Sequence, residues 1–333
     1  MAIGIKAIEY VLPEKVLTNK ELEQIYGDWT AEKILTKTGI ASRHVVSEGE
    51  CASDLAEQAA QKLFNSGVIS PEEIDFILLA TQSPDYQLPT TACILQDRLG
   101  IPQSAGALDF NLGCSAYIYG LAMAKSFINT GIAKNVLLLT SETYTKHIHP
   151  LDKSTRTIFG DAAAATLVSE DGHEIGNFDL GTDGSGKDAL IIPSGGSRIP
   201  RSKATAVEIE DNGSIRSQDN LFMDGTEVFS FTIRVVPESV NNILRKHNLS
   251  MEDINLFVFH QANEFMLDFL RKKLRIPKEK FYINMQDTGN TVSSTIPIAF
   301  KRAQIEGRIQ KGDRVLLCGF GVGLSWGSTI ITY

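Results

Sequence analysis

The stretch Pro71-Glu72-Glu73-Ile74-Asp75-Phe76-Ile77-Leu78-Leu79-Ala80-Thr81 decides the fold, because the chain writes it twice. It returns as Met251-Glu252-Asp253-Ile254-Asn255-Leu256-Phe257-Val258-Phe259-His260, with Ile74 and Ile254 180 residues apart. Each copy is an acidic turn followed by an unbroken apolar run, the signature of a strand buried on both faces. Further on, Leu95 to Pro102 is matched by Leu270 to Pro277: an amphipathic segment that closes on Ile-Pro in both copies. A third pair is Asn135 to Leu139 and Arg314 to Cys318, with Val136 and Val315 179 residues apart. Three matches in order at nearly one period indicate a duplicated domain. Solenoid repeats are far shorter, roughly 20–50 residues.

Within each half, buried strands alternate with amphipathic helices. Met1 to Tyr10 reads as a strand. Ser53 to Ser66 places Leu55, Ala59 and Leu63 on helical spacing with Ser53 as its cap, and Val235 to His247 repeats the idea. Such alternation means α/β domains with parallel or mixed sheets. Two of them stack as a five-layered α/β/α/β/α block. The expected boundary is the turn Ser169 to Gly172, giving halves 1–171 and 172–333. Gly181 to Gln218, rich in Gly, Ser, Asp and Pro, is expected to be a surface excursion with strands at its edges.

Bulk composition narrows the function classes. The 333 residues are 43% hydrophobic and 22% charged, with net charge −8. That balance fits a globular enzyme and disfavours nucleic acid as a partner. No apolar run approaches the roughly 18 residues that span a bilayer, and the N-terminus lacks signal-peptide character, so no membrane partner is expected. The four cysteines, Cys51, Cys93, Cys114 and Cys318, have neither metal-site spacing nor disulfide density. A reducing cytoplasm, and no metal, are expected.

Cys114 lies in Asp109-Phe110-Asn111-Leu112-Gly113-Cys114-Ser115-Ala116-Tyr117, just before the apolar helix-like stretch Ala116 to Phe127. A thiol at a helix N-terminus faces unpaired N–H groups and the positive dipole end, which favour thiolate, the nucleophilic form. Downstream stand His260 and Asn290, each at the loop-like end of an apolar segment. One Cys, one His and one Asn make a covalent acyl-transfer set. Cys51, Cys93 and Cys318 are read as structural.

Seven motifs in order now define a resemblance over nearly the whole chain: Thr36–His44, Gly113–Ala116, Ile158–Ala163, Pro193–Arg198, Phe259–Asn263, Gly289–Thr291 and Gly319–Gly327. The chain resembles the thiolase superfamily and, within it, the β-ketoacyl-acyl-carrier-protein (ACP) synthase III family. The resemblance implies a homodimeric acyltransferase without a cofactor. Cys114 would take an acyl group from acyl-CoA or acyl-ACP. His260 and Asn290 would hydrogen-bond the carbonyl of malonyl-ACP as it loses carbon dioxide, and the enolate would condense with the Cys114 acyl group. The backbone N–H groups of Cys114 and Val322 would form a second oxyanion hole, and Phe320 would shield the thiol. Arg271, Lys272 and Lys273, with Arg275, would dock the acidic carrier protein.

The chain departs from the family pattern at several positions. Val322 stands where glycine is usual. Lys33 and Lys153 replace the aromatic residue and the arginine that sandwich the adenine of coenzyme A, and two lysines offer no planar face. Trp29, four residues before Lys33, is the residue placed to compensate. Phe265 replaces a basic residue. Leu88 stands where Phe commonly closes the partner subunit's acyl pocket, and would admit a longer or branched primer. These departures favour an acyl-ACP donor. They keep open a specialised synthase or acyltransferase of a secondary-metabolite or glycan pathway beside fatty-acid initiation. A non-catalytic subunit is disfavoured because Cys, His and Asn are all retained. A degradative thiolase would need Cys318 as a second catalytic cysteine.

Overall fold

A computed structural model describes residues 2–333. Ten strands carry the architecture. In the first half they are β1 (Gly4–Val11), β2 (Phe76–Ala80), β3 (Gly106–Phe110), β4 (Val136–Glu142) and β5 (Ala162–Ser169). In the second half they are β6 (His173–Thr182), β7 (Leu256–Phe259), β8 (Phe281–Tyr282), β9 (Arg314–Gly321) and β10 (Ser325–Thr332). Their order across the molecule is β8-β7-β9-β10-β6-β1-β5-β4-β2-β3. Within that strand order the two halves join through Gly4 opposite Glu174 and Ile5 opposite His173. Each half has the same internal order and sense. β2 lies parallel to β3 and β4, and β5 runs antiparallel to β4 and β1. Likewise β7 lies parallel to β8 and β9, and β10 runs antiparallel to β9 and β6. The repeat read from Ile74 and Ile254 is thus a repeat of topology.

Six helices complete the layers: α1 (Ala52–Asn65), α2 (Thr91–Arg98), α3 (Ala116–Asn129), α4 (Gly225–His247), α5 (Glu264–Lys273) and α6 (Thr295–Ile305). The strand period of two distributes side chains between them. In β2, Leu78 joins the central core with Tyr117 and Leu121 of α3 and Phe300 of α6, a core that also takes Val258 and Leu317 from the second sheet. Its neighbours Ile77 and Leu79 face the outer layer of α1 and α2. Phe257 and Leu316 face α4 and α5 on the opposite side. Helices α3 and α6 therefore lie between the sheets, which gives the five layers. Their burial explains why α3 is apolar over its first nine residues, with Lys125, Ser126 and Asn129 confined to its C-terminal end.

Some local expectations need correcting. The cap of α1 is Cys51, not Ser53: Asp54 accepts from the Cys51 N–H at 2.7 Å, while the Ser53 hydroxyl accepts from Arg98 at 2.7 Å. The helix expected from Val235 begins a full ten residues earlier, at Gly225, capped by Asp224. The surface excursion folds back over the molecule. Its Leu190, with Leu221 just beyond it, packs into the cluster that contains Cys114.

Candidate active site

Cys114 sits in the turn that leads into α3, at the seam between the halves. Beneath it runs the end of β9, so closely that a Cβ on Gly321 would lie 3.1 Å from Sγ and 2.9 Å from the Cys114 Cβ. Only glycine leaves the thiol room there. His260 follows the last residue of β7, and its N–H donates to the Cys318 carbonyl at 2.8 Å, which ties it to β9. Asn290 is held by both of its backbone groups. Its N–H donates to the Ile158 carbonyl at 2.9 Å, and its carbonyl accepts from the Gly160 N–H at 3.0 Å. Gly289, at φ +67°, makes that approach possible, since any Cβ would meet the Ile158 oxygen at 2.7 Å.

The three side chains line one cavity of about 280 Å³, together with Phe320, Phe159, Met223 and Met266. All three are buried. The Asn290 amide has a defined orientation: Oδ1 accepts from the Val292 N–H at 2.9 Å, so Nδ2 points to His260 Nε2, 3.4 Å away. Val292 adopts φ +55° to make that bond. Left-handed backbone is strained for a β-branched residue, and such outliers gather at functional sites. The Phe320 ring stands edge-on to His260, with centroids 5.4 Å apart.

Burial sets the charge states. It depresses His260 to about 3, so the imidazole is neutral at physiological pH. It pushes the Cys114 thiol upward, with the Glu142 carboxylate acting in the same direction. This runs against the resting thiolate expected from the helix start, because burial favours the neutral thiol. The first N–H groups of α3 turn back on their own backbone, Ala116 donating to Gly113 and Ile118 to Ser115. Removal from water is the largest cause of the upward shift and acts against the dipole. Glu142 is itself raised to about 8 by burial, which leaves it mostly protonated at neutral pH. What raises the thiol is thus chiefly lost hydration. Among the described residues, the N–H groups of Cys114 and Val322 donate to no other residue.

Other anticipated residues fall into three places. Lys33, Lys153 and Trp29 do come together, around Asp28. Lys153 Nζ is 2.6 Å from the Asp28 carboxylate, and Lys33 Nζ lies 5.1 Å from the Trp29 ring centre, with Lys37 at 5.4 Å. Ser154, next to Lys153, lines the cavity. Leu88 is 82% exposed and does not line the cavity of its own chain. The basic run on α5 is largely engaged. Arg271 and Lys272 both pair with Asp268, at 2.7 and 2.6 Å, and Lys273 donates to the Ile233 carbonyl at 2.8 Å. Lys272 keeps 68% of its side chain exposed, and such a surface pair is worth little, about 0–1 kcal/mol, so it can exchange partners. Cys318 is buried in the outer core of the second half and does not line the cavity.

Two site residues escaped the sequence reading. Thr295, at the start of α6, places Oγ1 2.7 Å from His260 Nδ1. Glu142 accepts from the Gln82 N–H at 3.0 Å and from the Ser293 hydroxyl at 2.8 Å, pinning the loop that carries Asn290. A carboxylate closing an otherwise buried strand was the available signal for Glu142. Among the described residues no three His, Cys, Asp or Glu side chains gather as metal ligands, and no helix is long and apolar enough to cross a membrane.

A buried thiol beside an imidazole and an amide, at the seam of a duplicated five-layered fold, fits one class: a condensing acyltransferase of thiolase architecture. Residues 108–184 match the family model for 3-oxoacyl-[acyl-carrier-protein] synthase III, and residues 244–333 match that for its C-terminal part. The β-ketoacyl-[acyl-carrier-protein] synthase III of Caldanaerobacter subterraneus subsp. tengcongensis is 40% identical, the alignment covering 100% of this chain and 98% of that one. That of Clostridioides difficile is also 40% identical, over 99% and 98%. A crystal structure of a 3-oxoacyl-(acyl-carrier-protein) synthase III superposes with a TM-score of 0.98 at 50% identity over the whole of both chains. The Thermus thermophilus enzyme gives 0.88 at 36%, over 99% of each. The chain belongs to the β-ketoacyl-ACP synthase III family, the Cys114 motif falling in the first matched region and His260 and Asn290 in the second.

Proposed function

We propose that this chain condenses an acyl group carried on Cys114 with a malonyl group carried on ACP, each half (1–171 and 172–333) supplying part of the site. The observation that carries the reading is the single cavity lined by Cys114, His260 and Asn290, with the Asn290 amide donor turned toward it. In the first step Sγ attacks the donor's thioester carbonyl. The oxygen takes up negative charge beside the Cys114 and Val322 N–H groups, the carbonyl re-forms, and the donor leaves as its thiol with the Cys114 proton. In the second, the malonyl thioester carbonyl sits between His260 and Asn290. The bond to the carboxylate breaks, carbon dioxide leaves, and the electron pair is held as an enolate on that oxygen. The enolate carbon then attacks the Cys114 thioester, and Sγ departs carrying the electron pair. No cofactor enters these steps, and a cytoplasmic location is consistent with the reading.

The donor is acyl-ACP in preference to acyl-CoA. Supporting this, the Trp29 ring is approached by two ammonium groups and Lys153 is paired with Asp28, so no flat cationic face is presented to adenine. Matched acyl chains on both carriers, followed by intact-mass detection of the Cys114 adduct, test the proposal. Acylation is expected to be faster from the carrier protein. Charge reversal at Lys272 and Lys273 is expected to raise KM for the carrier and spare small thioester mimics. Faster use of acyl-CoA, unmoved by the reversal, would sink the assignment.

The working form is a homodimer. Strand β3 is a sheet edge, half-buried along its whole length; the start of α2 is tied to it by the Thr91 N–H, which donates to Asp109 at 2.6 Å, and in the loop just before that helix Tyr86 and Leu88 are 62% and 82% exposed. An open edge flanked by apolar side chains calls for a partner, and a second copy meets it with the same surface. Leu88 then reaches the neighbouring subunit's acyl pocket. Leu88→Phe is expected to shift preference toward shorter primers, with about 1–3 kcal/mol of selectivity available per methylene-sized change. An unchanged chain-length profile in a primer panel removes Leu88 from the pocket.

A further inference from the structure

The His260 ring has two nitrogens, and only one of them faces the cavity side of Asn290. Nε2 lies 3.4 Å from Asn290 Nδ2, whereas Nδ1 lies 2.7 Å from Thr295 Oγ1. Because burial keeps the ring neutral, one nitrogen carries the proton and the other a lone pair. A donor role for His260 requires the proton on Nε2. Nδ1 is then free to accept a hydrogen bond, and among the described residues the donor at hand is the Thr295 hydroxyl.

The distances favour that direction. At 2.7 Å Nδ1 is within reach of the hydroxyl as a donor, and it is the nearer of the two acceptors that hydroxyl can use. The competing acceptor for the hydroxyl proton is the Val292 carbonyl, 3.0 Å away. That carbonyl already accepts the backbone N–H of Thr295. The opposite tautomer would spend the Asn290 N–H on the imidazole across a long 3.4 Å contact. With the proton on Nε2, both donors are instead free for one substrate oxygen.

We propose that Thr295 is a positioning residue which, by donating its hydroxyl proton to Nδ1, holds His260 in the Nε2–H tautomer that the condensation step uses. The inference rests on the donor role of His260 proposed above. It adds that this role is set from the start of α6, by a residue that need not touch substrate. The hydroxyl of a serine can serve as well, and the isosteric valine cannot.

The test combines spectroscopy with two partial reactions on the full-length protein. ¹⁵N-histidine NMR reports which ring nitrogen is protonated, and the signal of His260 is identified by its loss in His260→Ala. In the wild type, Nε2 is expected to carry the proton. In Thr295→Val that preference is expected to be lost, decarboxylation of malonyl-ACP to fall about 10- to 100-fold in kcat with little change in KM, and Cys114 acylation to persist. Thr295→Ser is expected to restore both tautomer and rate. A proton on Nδ1 in the wild type, or a Thr295→Val protein with unchanged tautomer and rate, overturns the inference. An unimpaired His260→Ala would instead overturn the donor role itself. The wild-type spectrum and the serine variant decide the matter even if the valine variant does not fold.

Discussion

Cys114→Ser is expected to abolish acyl-enzyme formation, with a loss in condensation of about 10⁴-fold or more. The substitution changes one atom and keeps the space that Gly321 leaves for it, so the fold is expected to stand. What changes is chemistry. A serine hydroxyl is a far weaker acid than a thiol, and the site that raises the Cys114 thiol by burial would raise the hydroxyl too. No strong base stands ready to compensate. His260 is held at about 3, and Glu142, at about 8, is committed to the Gln82 N–H and the Ser293 hydroxyl. An ester at this position would also be a poorer acyl donor to the enolate than a thioester. Intact mass after incubation with acyl-ACP reads the first step directly. A stable adduct on the serine protein, formed at a rate near wild type, would remove Cys114 from the nucleophile's role.

The fold was legible because its informative strands are buried on both faces. Phe76 to Ala80 and Leu256 to Phe259 need apolar residues at every position, and that continuity makes the repeat visible through the divergence of the rest. The candidate site was legible in part: the chain has four cysteines and six histidines, whereas Asn290 and His260 stand out only beside Cys114 and within their motifs. What depends on the third dimension was not. The proton on Cys114 is fixed by water excluded by segments distant in sequence, including Leu190 and Leu221. The helix dipole, visible at once in Ser115 to Phe127, acts in the opposite direction. Thr295 looks like any helix-starting threonine until α6 is seen to carry it to His260. The engagement of Arg271 and Lys272 is a different case. Asp268 lies three and four residues before them, and that spacing on a helix announces ion pairing.

His260→Ala and Asn290→Ala are each expected to leave Cys114 acylation intact and to slow decarboxylative condensation about 10²- to 10³-fold. The separation of steps follows from geometry. The acylation oxyanion is assigned to the backbone N–H groups of Cys114 and Val322, which neither substitution removes. The malonyl oxygen is assigned to the two side-chain donors, whose nitrogens are 3.4 Å apart and can converge on one atom. Both losses should appear in kcat, because the charge they stabilise exists only as carbon dioxide departs. The double variant adds a sharper criterion. Two donors to one oxygen are coupled: once either is gone, water can enter and partly solvate the enolate, so removing the other costs less. The combined loss is therefore expected to fall short of the product of the single losses. Losses that multiply fully would mean that His260 and Asn290 act on different atoms or in different steps. A single variant that condenses at near wild-type rate would strike that residue from the enolate site.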